Sequence, residues 1–442
     1  MGVHDLVLEN LKLVGHVGEY NIGINEGKIS EISKTNLQGD KVIRFCDGEI
    51  ALPGLIDPHV HFRDPGLTYK EDFHTGSMSA ANGGFTTIID MPNTVPVSDT
   101  YKSFKDKKKI GEKKSLVNFG LNAGFNSLND MREVAKLHPC SFKIFMDLKS
   151  DLELNECFYD LSLLNSEGYD FMVSCHCENK FIIRENTYWQ QSKEFNESID
   201  YSLARPSEAE IVSVKQALDL ADKYNLKTHI CHLSTVDGLK SVKNSNVDVS
   251  YEFTPHHLLL DNTAFNVYGN MVKTNPPLRP LSEGVSVKDI SSDCMIGTDH
   301  APHSLEEKSQ GVWDSKPGIP NLETVLPLLL TEVNKGNIPL SFIPKIMSEN
   351  IAKRFRLTNK GCVKVGFDAD LTIINLGVVG KLDLNDFYTK GKYTPFKNWE
   401  YSGKAVMTIV NGNVVMENGV IIENSRSDIP SSVKGSNKYV YD

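Results

Sequence analysis

The chain has 442 residues, 40% hydrophobic and 24% charged, enough for one large soluble domain plus a smaller one. Its formal net charge of −10 excludes general binding to nucleic acid or to an anionic membrane surface, because both need clustered positive charge. No apolar stretch approaches the ~20 residues that cross a bilayer.

The eight cysteines are scattered without a Cys-x-x-Cys pair. Met1 to Asn10 has neither a basic nor an apolar signal segment, and together these features predict a reduced, cytoplasmic protein. The first fifty residues read as short strands over Leu6 to Val14, Tyr20 to Asn25, Lys28 to Ile32 and Lys41 to Phe45, with a hairpin turn at Asn25-Glu26-Gly27. Eight short apolar runs follow at helix-length intervals. They are Leu55 to Phe62, Phe85 to Met91, Leu116 to Ala123, Ser141 to Met146, Asp170 to His176, Lys227 to Leu233, Asp248 to Thr254 and Asp293 to Thr298. Strands alternating with helices imply parallel βα units, and eight of them imply a closed (β/α)8 TIM barrel. The six lysines between Lys105 and Lys114 read as a solvated helix face. Strand-like segments return at Asp370 to Asn375 and Val406 to Met416, with Asn411-Gly412 as a hairpin signal. Residues 1–51 and 356–442 should therefore form a small composite β-sandwich beside a barrel over 52–355.

Polar residues gather where the barrel runs end, and that is where this fold keeps its chemistry. In Asp57-Pro58-His59-Val60-His61, the period-two alternation of a strand puts both imidazoles on one face, where they can share a metal ion. His176 closes the fifth run. His229 and His232 end the sixth, three residues apart and so facing opposite ways. His232, nearer the rim, is the candidate ligand and His229 a packing residue. Asp299 ends the eighth run, able to bind metal through one oxygen and accept a proton on the other. Lys143 sits inside an apolar run. It must find an acid such as Asp147, or react with CO2 to give a carbamate that bridges two metal ions about 3.5–4 Å apart.

With these residues assembled, the chain resembles the amidohydrolase superfamily and, within it, the class I dihydroorotases. The likeness runs from Leu52-Pro53-Gly54-Leu55-Ile56-Asp57 to Tyr393-Thr394-Pro395-Phe396. It implies a barrel whose terminal segments form a β-sandwich. It also implies one zinc ion on His59, His61 and Asp299 and a second on His176 and His232, with carboxylated Lys143 between them. Arg63, Asn93 and Asn275 match positions that bind the substrate carboxylate in that pattern and His303 a further substrate-contacting position, while His256 and His257 shape the seventh loop. Many bacterial class I members carry an aspartate where this chain has Lys143, which leaves the metal count open. The implied reaction is the reversible cyclisation of N-carbamoyl-L-aspartate to L-dihydroorotate, with Asp299 as acid and base. A hydantoinase or allantoinase, or an inactive scaffold homologue, is the alternative. A homodimer and an association with aspartate transcarbamoylase are open expectations. Ser304 to Lys316 reads equally as a mobile lid or a surface loop.

Overall fold

The computed structural model describes residues 3–46, 48–423 and 439–441. The N-terminal strands are β1 (His4–Leu13), β2 (Glu19–Asn25), β3 (Lys28–Ser33), β4 (Gly39–Arg44) and β5 (Ile50–Pro53). The expected turn is present: Glu26 and Gly27 take φ of +49° and +74° between paired Asn25 and Lys28, the left-handed pair that a two-residue hairpin needs.

The eight apolar runs all become strands: β6 (Leu55–Val60), β7 (Phe85–Asp90), β8 (Asn118–Leu121) continued by β9 (Ala123–Gly124), β10 (Phe142–Phe145), β11 (Val173–His176), β12 (Thr228–Ile230), β13 (Val249–Phe253) and β14 (Met295–Ile296). They pair in parallel within a three-stranded and a six-stranded sheet. Asn122 joins the two sheets, because β8 and β9 are one strand interrupted there, its N–H donating to Asp90 O at 2.9 Å. The ring closes where His61 N donates to His300 O at 2.8 Å and Val60 bridges His300 in parallel. The result is the eight-stave barrel that the run count predicts. Its staves are buried on both faces, which is why they read as unbroken apolar runs and not as alternations.

The chain then returns to the terminal sheet through β15 (Leu371–Lys381), β16 (Glu400–Val410), β17 (Asn413–Glu417) and β18 (Val420–Ile421). β15 pairs with β5, so strands from both ends of the chain share one nine-stranded sheet with a core of its own around Leu8, Ile22, Leu371 and Ile409. The final described residues return to the barrel, where Tyr439 bridges Phe119 and is buried.

One expectation fails in an instructive way. Tyr101–Lys114 is a helix, but Lys107 is not on a solvated face. Its ammonium is fully buried, 2.7 Å from Asp90 Oδ2 and 2.6 Å from Met91 O. Asp90 in turn accepts from Phe62 N at 2.7 Å, so the ion pair braces the chain just beyond His61. Charge counting along a helix cannot see an acid waiting at a strand end. Lys107→Met should cost ~3–5 kcal/mol, because it strands a buried carboxylate. Urea unfolding reads this directly, and an unchanged midpoint would mean that the pair does not brace the barrel.

Candidate metal centre

His59 in β6 and His61 one residue past its end, still paired through His61 N to His300 O, lie side by side at the barrel mouth with ring centroids 5.2 Å apart. His59 Nδ1 donates to Glu252 Oε1 at 2.5 Å and His61 Nδ1 to Asn93 Oδ1 at 2.7 Å. An acceptor on each Nδ1 fixes the proton there and turns both Nε2 atoms inward. Both meet the same atom, Asp299 Oδ1, at 3.4 Å and 3.1 Å. Burial pulls the His61 pKa down to about 4, so the ring is neutral at neutral pH. Its Nε2 lone pair then faces a carboxylate oxygen, an arrangement that repels itself unless a cation sits between. Burial alone would raise the Asp299 carboxyl, but its surroundings favour the anion and hold it well below the usual carboxylate range. Donor chemistry and convergence within 4.8 Å fit a divalent metal.

A second group adjoins it. His176 Nδ1 lies 3.0 Å from His232 Nε2, and the His232 ring centroid is 5.1 Å from that of His59. His176 Nε2 lies 3.0 Å from Glu178 Oε2, and Glu178 is gripped by Arg205 through Nε and Nη2 at 3.1 Å and 2.5 Å. His232 is past the end of β12, at φ +37°. Alternation along β12 therefore does not reach His232, and the expectation that His229 and His232 face opposite ways loses its basis. Strand geometry stops at Ile230, and both residues meet Glu252, His229 through Nε2 at 3.0 Å and His232 through its backbone N at 3.2 Å. His229 still packs inside the barrel, its Nδ1 2.9 Å from Ser250 Oγ.

Lys143 is 1% exposed and donates to Cys231 Sγ at 2.9 Å. Asp147 is not its partner, being held by Arg205 Nη2 at 2.8 Å. Burial pushes the Cys231 thiol up, so it stays protonated and offers no balancing charge. Among the described residues Lys143 forms no ion pair.

Arg63 opens toward the same space at φ +61°. It is buried, and its recorded side-chain contact is with His303, Nη2 to Nε2 at 3.2 Å. Nε has no partner at all among the described residues. Burial depresses its pKa, with Asp299 the strongest opposing charge. His303 also contacts Pro317 O at 2.9 Å and Lys70 Nζ at 3.2 Å. Asn93 is committed to His61 through Oδ1, and Asn275 Oδ1 accepts from Tyr201 OH at 2.6 Å. His257 bonds Thr254 and Pro276 O, and His256 accepts from Asn321, so both shape the seventh loop. The segment after His303 is tied down. Lys308 Nζ donates to the carbonyls of Lys273, Lys316 and Gly318, and Lys273 Nζ to those of Val312 and Ser315.

The profile of the Amidohydrolase family matches residues 50–415. The chain belongs to the amidohydrolase family. Among its relatives within that family is the dihydroorotase of Methanothermobacter thermautotrophicus, 46% identical over 98% of each chain. The dihydroorotase of Methanosphaera stadtmanae is 43% identical over 99% of this chain and 100% of its own. The L-hydantoinase (dihydropyrimidinase) of Arthrobacter aurescens superposes with a TM-score of 0.89 at 30% identity, covering 95% of this chain and 98% of that one. This amidohydrolase is thus a hydrolase on a (β/α)8 barrel, and no described helix is long and apolar enough to cross a membrane. Three site residues escaped the sequence reading: Glu252, Glu178 and Arg205. An acid inside the apolar run Val249 to Phe253 is the same anomaly that singles out Lys143, and it was the available signal for Glu252.

Proposed function

We propose that this amidohydrolase is a dihydroorotase, interconverting L-dihydroorotate and N-carbamoyl-L-aspartate for pyrimidine synthesis. The observation that carries the reading is Arg63, a buried guanidinium with no ion pair among the described residues, opening on the same space as the His59, His61 and Asp299 group. Such a cation suits a substrate that brings its own carboxylate to the metal, and a bidentate guanidinium–carboxylate pair would fix its orientation. The archaeal relatives named dihydroorotase support the same substrate.

His59, His61 and Asp299 would hold one zinc ion and His176 and His232 a second, with Lys143, carboxylated on Nζ, between them. Bound there, zinc supplies Lewis acidity at the scissile carbonyl and lowers the pKa of water toward about 7. Carboxylation would also replace a buried, unpaired cation by an anion that the metal ions, once bound, would neutralise. Asp299 has Oδ1 turned to the imidazoles, which leaves Oδ2 to take the proton of the attacking water and pass it to the departing ring nitrogen. In the biosynthetic direction the same oxygen receives the ureido proton. Arg63, Asn93 and Asn275 would hold the free carboxylate, and His303 would contact the substrate beside them. Asn93 keeps its amide N–H groups for this because His61 occupies its oxygen. The reading places the protein in the cytoplasm as a homodimer, with aspartate transcarbamoylase, the source of carbamoyl aspartate, as a partner to be sought by co-purification.

The test is a side-by-side assay on dihydroorotate, hydantoin and allantoin before and after chelation. Turnover of dihydroorotate should vanish with the metal and return only when zinc and bicarbonate are supplied together, with the intact mass then carrying one CO2. Preference for hydantoin or allantoin would select the hydantoinase-type reading instead, and silence on all three would select the inactive scaffold.

A further inference from the structure

We propose that Glu252 is a positioning residue that locks the two halves of the metal centre to each other. It stands in β13, its side chain fully buried. Oε1 accepts from His59 Nδ1 at 2.5 Å and from His232 N at 3.2 Å, and Oε2 lies 3.0 Å from His229 Nε2. His59 belongs to the first group of ligands and His232 to the second. One carboxylate therefore aims the imidazole of one half and anchors the backbone of the other, at the point where the chain leaves β12 in a left-handed conformation. Its second oxygen is steadied by His229, which Ser250 holds from behind at 2.9 Å. That chain of contacts gives His229 a task that packing alone does not.

The seat is shaped for this carboxylate. Gly297, just beyond β14, would place a Cβ 2.6 Å from Glu252 Oε2, closer than real Cβ contacts come. Gly297 N also donates to Phe253 O at 3.0 Å, so the segment cannot easily withdraw. Only a glycine there leaves room for a side chain that must reach His59 and His229 together. By contrast, the oxygen of Asn93 reaches one imidazole, that of His61.

The inference rests on the proposed metal centre, through His59 and His232. Its test is zinc affinity of the stripped protein, measured by competition with a chromophoric chelator. Glu252→Gln keeps the shape, removes the charge and puts donors where an acceptor stood. Gly297→Ala keeps the charge and displaces the carboxylate, so it reads the same contact if a buried amide prevents folding of the first variant. Each should bind every zinc ion that the wild type holds roughly 10–100-fold more weakly, the usual cost of losing a ligand's outer partner. Far-UV circular dichroism should be unchanged, and turnover should recover as zinc is raised, which a misfolded or purely structural variant would not do. Affinities matching the wild type in both variants overturn the proposal. A wild type that takes up no zinc overturns the metal centre itself, a distinct outcome.

Discussion

Asp299→Asn should abolish turnover in both directions while leaving the fold intact. The backbone argues for the second half of that statement. Asp299 sits at φ +46°, and asparagine is among the few residues that tolerate the left-handed region as well as aspartate does. The side chains are isosteric, so neither β14 nor the ring closure at His300 need move. What changes is the chemistry. The variant loses the anion that both Nε2 atoms face and the oxygen that would carry the proton. Loss of a general acid–base alone costs roughly 10²–10⁴ in rate, and loss of a metal ligand adds to it. Zinc content should be measured in the same preparation. A variant with normal zinc and substantial activity would remove Asp299 from the proton transfer.

How much of this was legible beforehand follows from what kind of signal each residue leaves. The eight staves were readable because burial on both faces writes an apolar run, and both hairpin turns because a two-residue turn needs positive φ, which Gly27 and Gly412 take without strain. Asn411 and Gly412 take φ of +48° and +78°, as that pattern requires. His59 and His61 were readable because strand alternation is a local rule. His232 and Asp299 were found only as rim residues. Their orientation depends on left-handed turns at +37° and +46°, which no periodicity encodes. Lys107 was misjudged for a related reason. The other lysines of the helix are exposed or half-buried, but this position is decided by Asp90 from another element. Glu252, Glu178 and Arg205 likewise gain meaning only from partners distant in sequence.

Arg63→Met is the sharpest test of substrate identity, because stability and function should move in opposite directions. In the free protein Arg63 bears the cost of a buried charge, with no anion at ion-pair distance among the described residues. Replacing an uncompensated buried ion by an apolar side chain of similar length is neutral or stabilising. The backbone at φ +61° is no worse for methionine than for arginine, so no new strain enters. The melting temperature should hold or rise. The substrate tells the other side. Removing one partner of a desolvated guanidinium–carboxylate pair costs about 2–5 kcal/mol, so the KM for dihydroorotate should rise by roughly one and a half to three and a half orders of magnitude. Zinc content should not change, since Arg63 touches His303 and none of the proposed ligands. Any weak turnover of a neutral ring such as hydantoin should be spared, because that ring brings no carboxylate for Arg63 to lose. An unaltered KM for dihydroorotate would strip Arg63 of its role. An equal loss on charged and neutral rings would mean that the residue shapes the mouth without reading the substrate.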